Sequence, residues 1–325
     1  MEILERLFNV SLIVATLRTT TPILLVALGG SFTTKAGIFN IGLEGQMLVG
    51  AFFAVIGTIF TGSPWLGVLC GVIAALVLAY VFALLVVTFK ANEVVVGLAL
   101  NILAGGMTIS LLTAIFGHRG SIFGHGLVGL PAVKLPFARE LGVFGQMISG
   151  YTPLVYVAFI LVPLLVIFYR RTKLGLYIRV VGEKPEAAEA LGISISRIRY
   201  TSSLLCGLLA GLAGAHLSLG YTTMFTENMS SGRGFMAVAI LIFSNGDPWR
   251  ILAGCMLFGF SDALSLRLQT LGISSYLVLA VPYLVALAAL FALSYRARPK
   301  LIRETIESMS RVLSVKPATE SGKGS

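Results

Sequence analysis

The stretch that decides the fold is PWLGVLCGVIAALVLAYVFALLVVTF, residues 64–89, which contains no charged side chain. A helix that crosses the hydrocarbon core of a bilayer, about 30 Å thick, needs roughly 20 mainly apolar residues, so this run is long enough. Lipid offers the backbone no hydrogen-bond partner, and the run lacks the period-two alternation of a barrel strand. We therefore predict a membrane-spanning helix here.

Similar apolar runs occupy most of the chain on both sides of this one. The predicted spans are residues 12–31, 41–61, 64–89, 93–116, 151–169, 200–223, 231–245, 250–270 and 276–294. Arg18 interrupts the first run, so residues 3–16 could instead lie along the membrane interface, and we allow eight to ten spans. The predicted fold is an all-α, polytopic bundle of about nine helices. Residues 1–295 form one membrane-spanning domain, and residues 296–325 form a basic, partly disordered tail.

Composition excludes several classes of function. Charged residues make up 12% of the chain and hydrophobic residues 57%, whereas soluble domains are about one quarter charged. A soluble enzyme is therefore excluded. Cysteines and histidines stand singly, without the spacing of a disulfide framework or a metal site, and no nucleophile or phosphate-binding motif occurs. These residues are Cys70, Cys206, Cys255, His118, His125 and His216. We predict no metal, no catalytic residue and no bound cofactor.

The net charge of +10 comes largely from two stretches rather than from a nucleic-acid surface. Residues 170–200 and residues 295–325 each hold seven Lys and Arg against three Glu. Both stretches should face the cytoplasm, beside the lipid headgroups. An even number of crossings must then separate them, so the short run 231–245, lengthened through 229–233, is predicted to cross rather than re-enter. The loop 117–150 lies outside, and the C-terminus is cytoplasmic.

The basic loop 170–200 contains the signals of a short helix at residues 185–191. Pro185 suits a first turn, Gly192 suits a helix end, and Ser194 can cap the helix that follows. The small side chains give this helix a shallow surface that suits docking into a groove of another protein. A solvated connecting helix is the alternative. The residues that we assign to the docking surface are Gly182, Glu183, Pro185, Glu186, Ala187, Ala188 and Gly192.

Polar residues inside the apolar runs need a reason, because an ionisable side chain at mid-bilayer costs about 2.5–3.5 kcal/mol on insertion scales. Asn40 can cap the helix in which Glu44 would satisfy the positive end. A stripe of polar and small residues follows at intervals of four along one helix face: Glu93, Gly97, Asn101 and Gly105. The candidates for a translocation path, or for helix packing, are Asn40, Glu44, Asn92, Glu93 and Asn101. We assign a structural role to Asp262 and Arg267, which could neutralise each other or a neighbour.

Four segments resemble one transporter family. EAAEALG at 186–192 is similar to the coupling loop of ATP-binding-cassette (ABC) importer permeases. GIFNIGLEGQM at 37–47, NEVVVGLALN at 92–101 and GRGFMAVAILIF at 232–243 resemble the permeases for simple sugars, branched-chain amino acids and nucleosides. The longer segment TTTPILLVALGGSFTTKAGIFNIGLEGQM at 19–47 is most similar to the purine-nucleoside branch.

The resemblance implies a non-catalytic permease subunit in a bacterial plasma membrane that imports a solute by alternating access. Its implied partners are an ABC ATPase subunit that uses the ATP, a second related permease and an extracytoplasmic solute-binding lipoprotein. A simple-sugar or branched-chain amino acid permease is the alternative within the family. An ion-coupled secondary transporter, with Glu44 and Glu93 as its ion site, is the rival from another class. A membrane scaffold without transport is a further rival.

Overall fold

The computed structural model describes residues 10–124, 126–133, 149–270 and 284, so the span predicted at 276–294, the tail 296–325 and His125 lie outside the described residues. The helices are α1 (Val10–Lys35), α2 (Leu43–Thr61), α3 (Pro64–Ala83), α4 (Glu93–Phe116), α5 (Pro153–Arg171), α6 (Lys173–Glu183), α7 (Pro185–Ala190), α8 (Ile195–Ala215), α9 (Arg233–Ser244) and α10 (Pro248–Thr270). π-Helical turns extend α3 over Leu84–Thr88 and α8 over His216–Thr222. Strands β1 (Ser121–Ile122) and β2 (Phe225–Thr226) pair antiparallel.

Seven of the described helices are long and apolar enough to cross a membrane. They cover Ser11–Lys35, Leu43–Thr61, Pro64–Thr88, Glu93–Phe116, Pro153–Arg171, Ile195–Thr222 and Pro248–Gln269. Each agrees with a predicted span, which confirms the helical membrane bundle. The number of nine spans stays a prediction.

Helix α1 continues through Arg18 without a break. The Arg18 guanidinium donates to the Gly150 carbonyl at 3.3 Å and lies 5.6 Å from the centre of the Tyr151 ring, so its charge leaves the apolar side of the helix. Residues 10–16 therefore form one continuous helix with residues 17–35. Residues 3–9 lie outside the described residues, and the interfacial position stays an alternative.

Helix α9 is the exception among the predicted spans. It has 12 residues, about 18 Å at 1.5 Å per residue, which is short of a 30 Å core. Its predicted extension over 229–233 is wrong, because Gly232 has a left-handed φ of 81° and the helix begins only at Arg233. The residues just before it are not helical, and its crossing of the membrane stays a prediction.

The segment around α9 still joins the two sides of the bundle. Before α9, the Phe225 ring lies 5.1 Å from the Phe52 ring, and β2 pairs with the strand that follows α4. After α9, Gly246 lies against the side chain of Lys35, the last residue of α1. Helix α9 therefore begins inside the bundle, at a depth where backbone groups need protein partners.

The core is formed by α1, α2 and α8. In the most apolar stretch of each helix, 72% of the residues are buried in α1, 78% in α2 and 72% in α8. In α3, α4 and α5 the buried share is 28–33%. Close backbone contacts hold the core helices together: a Cβ atom at Gly50 of α2 would lie 2.9 Å from the Gly211 Cα of α8. Small residues at such contacts let membrane helices approach when lipid supplies no hydrophobic drive.

Candidate functional site: a surface helix and a capped half-helix

The loop 170–200 contains the predicted short helix. Helix α7 has Pro185 at its first turn and ends one residue earlier than predicted, at Ala190. Gly192 has a left-handed φ of 74°. Its N–H donates to the Glu189 carbonyl at 2.9 Å, and the next N–H, of Ile193, donates to the Ala188 carbonyl at 3.0 Å. These two bonds close the C-terminus in the manner of a Schellman motif.

Most of α7 is exposed. Ala188 is fully buried in the core cluster, whereas Glu183, Pro185, Glu186 and Ala187 are exposed. The neighbouring Leu191 is 74% exposed. One buried alanine therefore anchors a small, otherwise uncovered surface. Docking of a partner on that surface stays a prediction.

Helix α6 connects this surface to the membrane helices, and the sequence reasoning did not find it. Thr172 caps it by accepting the Gly175 N–H at 3.0 Å. At its other end, Gly182 contacts the Lys35 carbonyl, and a Cβ there would lie 3.0 Å from the Gly37 nitrogen. The sequence signal for this helix was Thr172, a residue type that caps helices, followed by apolar residues at 178 and 181. The contact joins the loop to the turn between α1 and α2.

Glu44 caps the half-helix α9. Its Oε1 accepts the Gly232 N–H at 2.8 Å, and its Oε2 accepts the Gly234 N–H at 2.6 Å. The residue is 6% exposed. A carboxylate that accepts backbone N–H groups at a helix N-terminus satisfies their hydrogen bonds and complements the helix dipole. The sequence reasoning missed Gly232 and Gly234 as its partners.

The predicted cap of α2 needs a correction. The N-cap of α2 is Gly42, which has no side-chain cap. Asn40 lies earlier, and its Oδ1 accepts the Gly42 N–H at 2.9 Å in the turn before the helix. Glu44 lies in the first turn of α2, as predicted, and its carboxylate oxygens also bind the start of α9, which begins inside the bundle beside it.

Asn101 clamps the start of α2. Its Oδ1 accepts the Gly45 N–H at 2.8 Å, and its Nδ2 donates to the Ile41 carbonyl at 3.0 Å. Along the same face of α4, a Cβ at Gly97 would lie 2.8 Å from the Gly42 nitrogen, whereas Gly105 has no neighbour within 4 Å of a Cβ. The part of this face near the start of α4 is thus in close contact with α2, whereas the face is open at Gly105.

Glu93 and Asn92 lie at the beginning of α4. Asn92 is the N-cap, and its side chain accepts the N–H groups of Val94 and Val95 at 3.0 and 3.2 Å. Glu93 is half-buried in the first turn of the helix. Their place at a helix end fits capping and the helix dipole; a role in a translocation path stays a prediction for both.

An ion pair lies next to the capped end of α9. Arg233 Nη2 is 2.9 Å from Asp262 Oδ2, and Arg233 Nη1 donates to the Met229 carbonyl at 3.3 Å. Arg267 donates instead to Ser11 of α1. Asp262 and Arg267 therefore do not neutralise each other, and the neighbour that pairs with Asp262 is Arg233.

The described residues contain no group of three or more His, Cys, Asp or Glu that could hold a metal. Within this part of the chain, His216 is buried, and its Nδ1 lies 3.2 Å from Thr152 Oγ1. His118 is exposed and follows the C-terminal end of α4.

Comparison with known proteins gives a consistent family. The family model "Branched-chain amino acid transport system / permease component" matches residues 12–295. The chain is 37% identical over 276 residues to "Putative glucose ABC transporter permease protein TsgC13" of Haloferax volcanii, covering 82% of this chain and 80% of that protein. It is 33% identical over 298 residues to the guanosine ABC transporter permease protein NupQ of Bacillus subtilis, covering 87% and 92%.

A third relative is the nucleoside ABC transporter permease protein NupC of Lactococcus lactis, 32% identical over 254 residues and covering 75% of this chain and 78% of that protein. The resemblance seen in the four sequence segments is thereby confirmed. The chain belongs to the branched-chain amino acid transport system permease family, and it is the multi-pass permease subunit of an ABC transporter whose ATPase is a separate subunit.

Proposed function

We propose that this chain imports a nucleoside, driven by ATP hydrolysis on a partner ATPase that docks against α7. The observation that carries the coupling is the exposed helix Pro185–Ala190, anchored only by Ala188. A stiff, shallow helix on the surface of a membrane bundle has no evident use for an ion-driven carrier. In this proposal the loop 170–200 and the C-terminus are cytoplasmic, and this chain binds no cofactor of its own.

A continuous series of contacts runs from α7 into the bundle. Motion of α7 reaches the end of α6, where Gly182 contacts the backbone of Lys35 and Gly37. The turn 36–42 then leads directly to the start of α2. We propose that this turn transmits the motion, because backbone-to-backbone contacts leave little room for slippage.

The start of α2 is in turn tied to two other helices. Asn101 of α4 binds its backbone on both sides of Gly42, and Glu44 binds the first N–H groups of α9. A rigid displacement of this turn would therefore move α9 and its ion pair to Asp262. We propose that this movement alternately opens the path to the two sides, with a second related permease facing it.

The nucleoside assignment rests on relatives. NupQ and NupC are named for guanosine and nucleoside transport, whereas TsgC13 is named for glucose. A simple sugar is therefore the second candidate, and a branched-chain amino acid is the third, from the description of the family. Permeases named NupP and NupQ occur together in Bacillus subtilis, which supports a pair of unlike permeases. An extracytoplasmic solute-binding lipoprotein would deliver the solute.

The geometry of Glu44 argues against an ion-coupled carrier. Both of its carboxylate oxygens already accept backbone N–H groups. The carboxylate therefore already has a structural role at the start of α9, and its protonation in a transport cycle would weaken these charge-assisted bonds.

The test is uptake into proteoliposomes that contain this permease, its partner permease, the ATPase and the receptor. We expect uptake of labelled guanosine with ATP on the side of the ATPase, and none with a proton gradient alone. Excess adenosine should compete, and glucose or leucine should not. Competition by glucose alone would make the chain a sugar permease, and ATP-independent uptake on a proton gradient would refute the coupling.

A further inference from the structure

A groove of about 650 Å³ opens beside the coupling loop, between the end of α3 and the start of α8. One wall is apolar and comes from the π-helical turn of α3, with Val86 and Val87. The polar lining includes Lys90, Ser194 and Arg199. Glu189 and Gly192 of the lining belong to α7 and its C-terminal end, and Arg199 Nη2 would lie 3.8 Å from a Cβ at Gly37 in the turn between α1 and α2.

The groove is positively charged. Lys90 is exposed, and Arg199 reaches in from the first turns of α8. The Nε atom of Arg199 is buried and has no hydrogen-bond acceptor in the described part of the chain. Glu189 is the one acidic residue of the lining. The lining therefore has two cations against one carboxylate, and ammonium and guanidinium groups donate charge-assisted hydrogen bonds to anions such as phosphate.

Tyrosine side chains beside the groove are typical of residues at the level of lipid headgroups. The Tyr80 and Tyr200 rings lie 5.9 Å apart, and the Tyr200 hydroxyl is 2.6 Å from Thr88 Oγ1. Phe89, next to Lys90, is 68% exposed. Aromatic residues gather at the boundary between hydrocarbon and water. The outward face of α3 that leads to them is largely unburied.

We propose that this groove binds the headgroup of an anionic phospholipid. The phosphate lies between Lys90 and Arg199, with the Ser194 and Ser196 hydroxyls as further donors. The acyl chains run along Val86 and Val87 onto the exposed face of α3. Cationic pockets between membrane helices bind anionic headgroups in this way. The bound lipid ties the end of α3 to the residues that follow α7, whatever solute the transporter moves.

Native mass spectrometry of the purified chain with phosphatidylglycerol, and with phosphatidylcholine as the neutral lipid, tests the proposal. The double variant Lys90→Asn/Arg199→Gln should lose phosphatidylglycerol affinity at least about tenfold, because each surface cation adds about 1 kcal/mol. Asn tolerates the left-handed φ of 55° at position 90. Arg171→Gln/Lys173→Gln removes the same charge from exposed positions outside the groove and should retain the affinity.

A second measurement does not need the charge variants to fold. In a Ser196→Cys variant, vesicles that contain phosphatidylglycerol should protect the thiol from a maleimide, and vesicles of pure phosphatidylcholine should not. Equal loss of affinity in both double variants would overturn the proposal. So would equal protection by inorganic phosphate without lipid. Protection that appears only when the ATPase subunit is added would assign the groove to a protein interface and would also contradict the lipid.

Discussion

Two helical hairpins of this permease, α2–α3 and α9–α10, have the same type of turn but differ in how their first helix begins. TGSPW at 61–65 and NGDPW at 245–249 join the helices in the two hairpins. In both, a glycine with φ of 68° ends the first helix or follows its end, and proline begins the second. The turn chemistry is thus the same: a left-handed residue stops one helix and proline starts the next.

The first helices of the two hairpins differ in length and in cap. Helix α2 has 19 residues, and its Gly45 N–H is accepted by the neutral amide of Asn101. Helix α9 has 12 residues, and two of its N–H groups are accepted by the Glu44 carboxylate. A helix that begins deeper in the bundle is farther from water, so it depends on a stronger acceptor supplied by another helix.

The largest expected effect comes from removing that acceptor. Glu44→Ala leaves the Gly232 and Gly234 N–H groups unpaired inside the bundle, which should lower the free energy of unfolding by about 4 kcal/mol, since each bond to a charged group is worth about 1.5–3 kcal/mol. Thermal unfolding in detergent measures the loss, and uptake should be abolished. Glu44→Gln keeps one acceptor and should lose about half as much. Wild-type stability in Glu44→Ala would contradict the capping role.

The second prediction crowds the same junction without removing the acceptor. In Gly234→Ala the new Cβ would lie 2.5 Å from the Glu44 Cα, so α9 must shift, at about 3 kcal/mol for overpacking against backbone. Gly105→Ala, which has no neighbour within 4 Å, is the matched control and should unfold like the wild type. Equal thermal unfolding midpoints for the two variants would show that the start of α9 accommodates an added methyl group without strain.

The third prediction concerns the neutral cap of α2. Asn101→Leu removes the bonds to Gly45 N–H and the Ile41 carbonyl, at about 2 kcal/mol for two partly buried bonds. We expect impaired uptake and unchanged association with the ATPase, measured by co-purification. Ser110→Leu, at an exposed position of the same helix, serves as control. Normal transport by Asn101→Leu would show that Asn101 contributes to helix packing only.

The smallest effect should come from the shared turn. Gly62 has φ of 68° and no atom within 4 Å of a Cβ, so Gly62→Ala should cost about 1 kcal/mol through backbone strain alone. In the other hairpin the equivalent residue is Gly246, also at φ of 68°, and the preceding Asn245 shows that a residue with a side chain can adopt a positive φ, of 49°, in this turn. Thermal unfolding should therefore shift by only a few degrees, with uptake retained. A loss as large as that of Gly234→Ala would mean that the turn, rather than the cap, holds the hairpin.

Sequence reasoning predicted the local features of this fold well. A continuous apolar run in lipid must form a helix, so the long spans were predicted with boundaries close to those of the structure. Pro185 and Gly192 act within a few residues of themselves, and the helix between them was predicted to within one residue. The division at residues 295 and 296 stays a prediction.

The features that sequence reasoning missed depend on contacts distant in the chain. The residues 234–244 have the composition of a spanning helix, and nothing local reveals that Gly232 adopts φ of 81° and delays its start. Glu44 finds its partners 188 and 190 residues later, so the sequence allowed only a cap within its own helix. Helix α6 combines basic and apolar residues at an interface, where neither a span nor a soluble helix is expected.

The most direct test of the account is to replace Glu186–Ala190 with a Gly-Ser linker of equal length and to measure uptake and ATP hydrolysis in the assembled transporter. Membrane insertion and co-purification with the partner permease serve as controls. We predict that uptake is lost while the protein remains inserted and any remaining ATP hydrolysis no longer responds to solute-loaded receptor. Uptake at the wild-type rate would contradict coupling through α7.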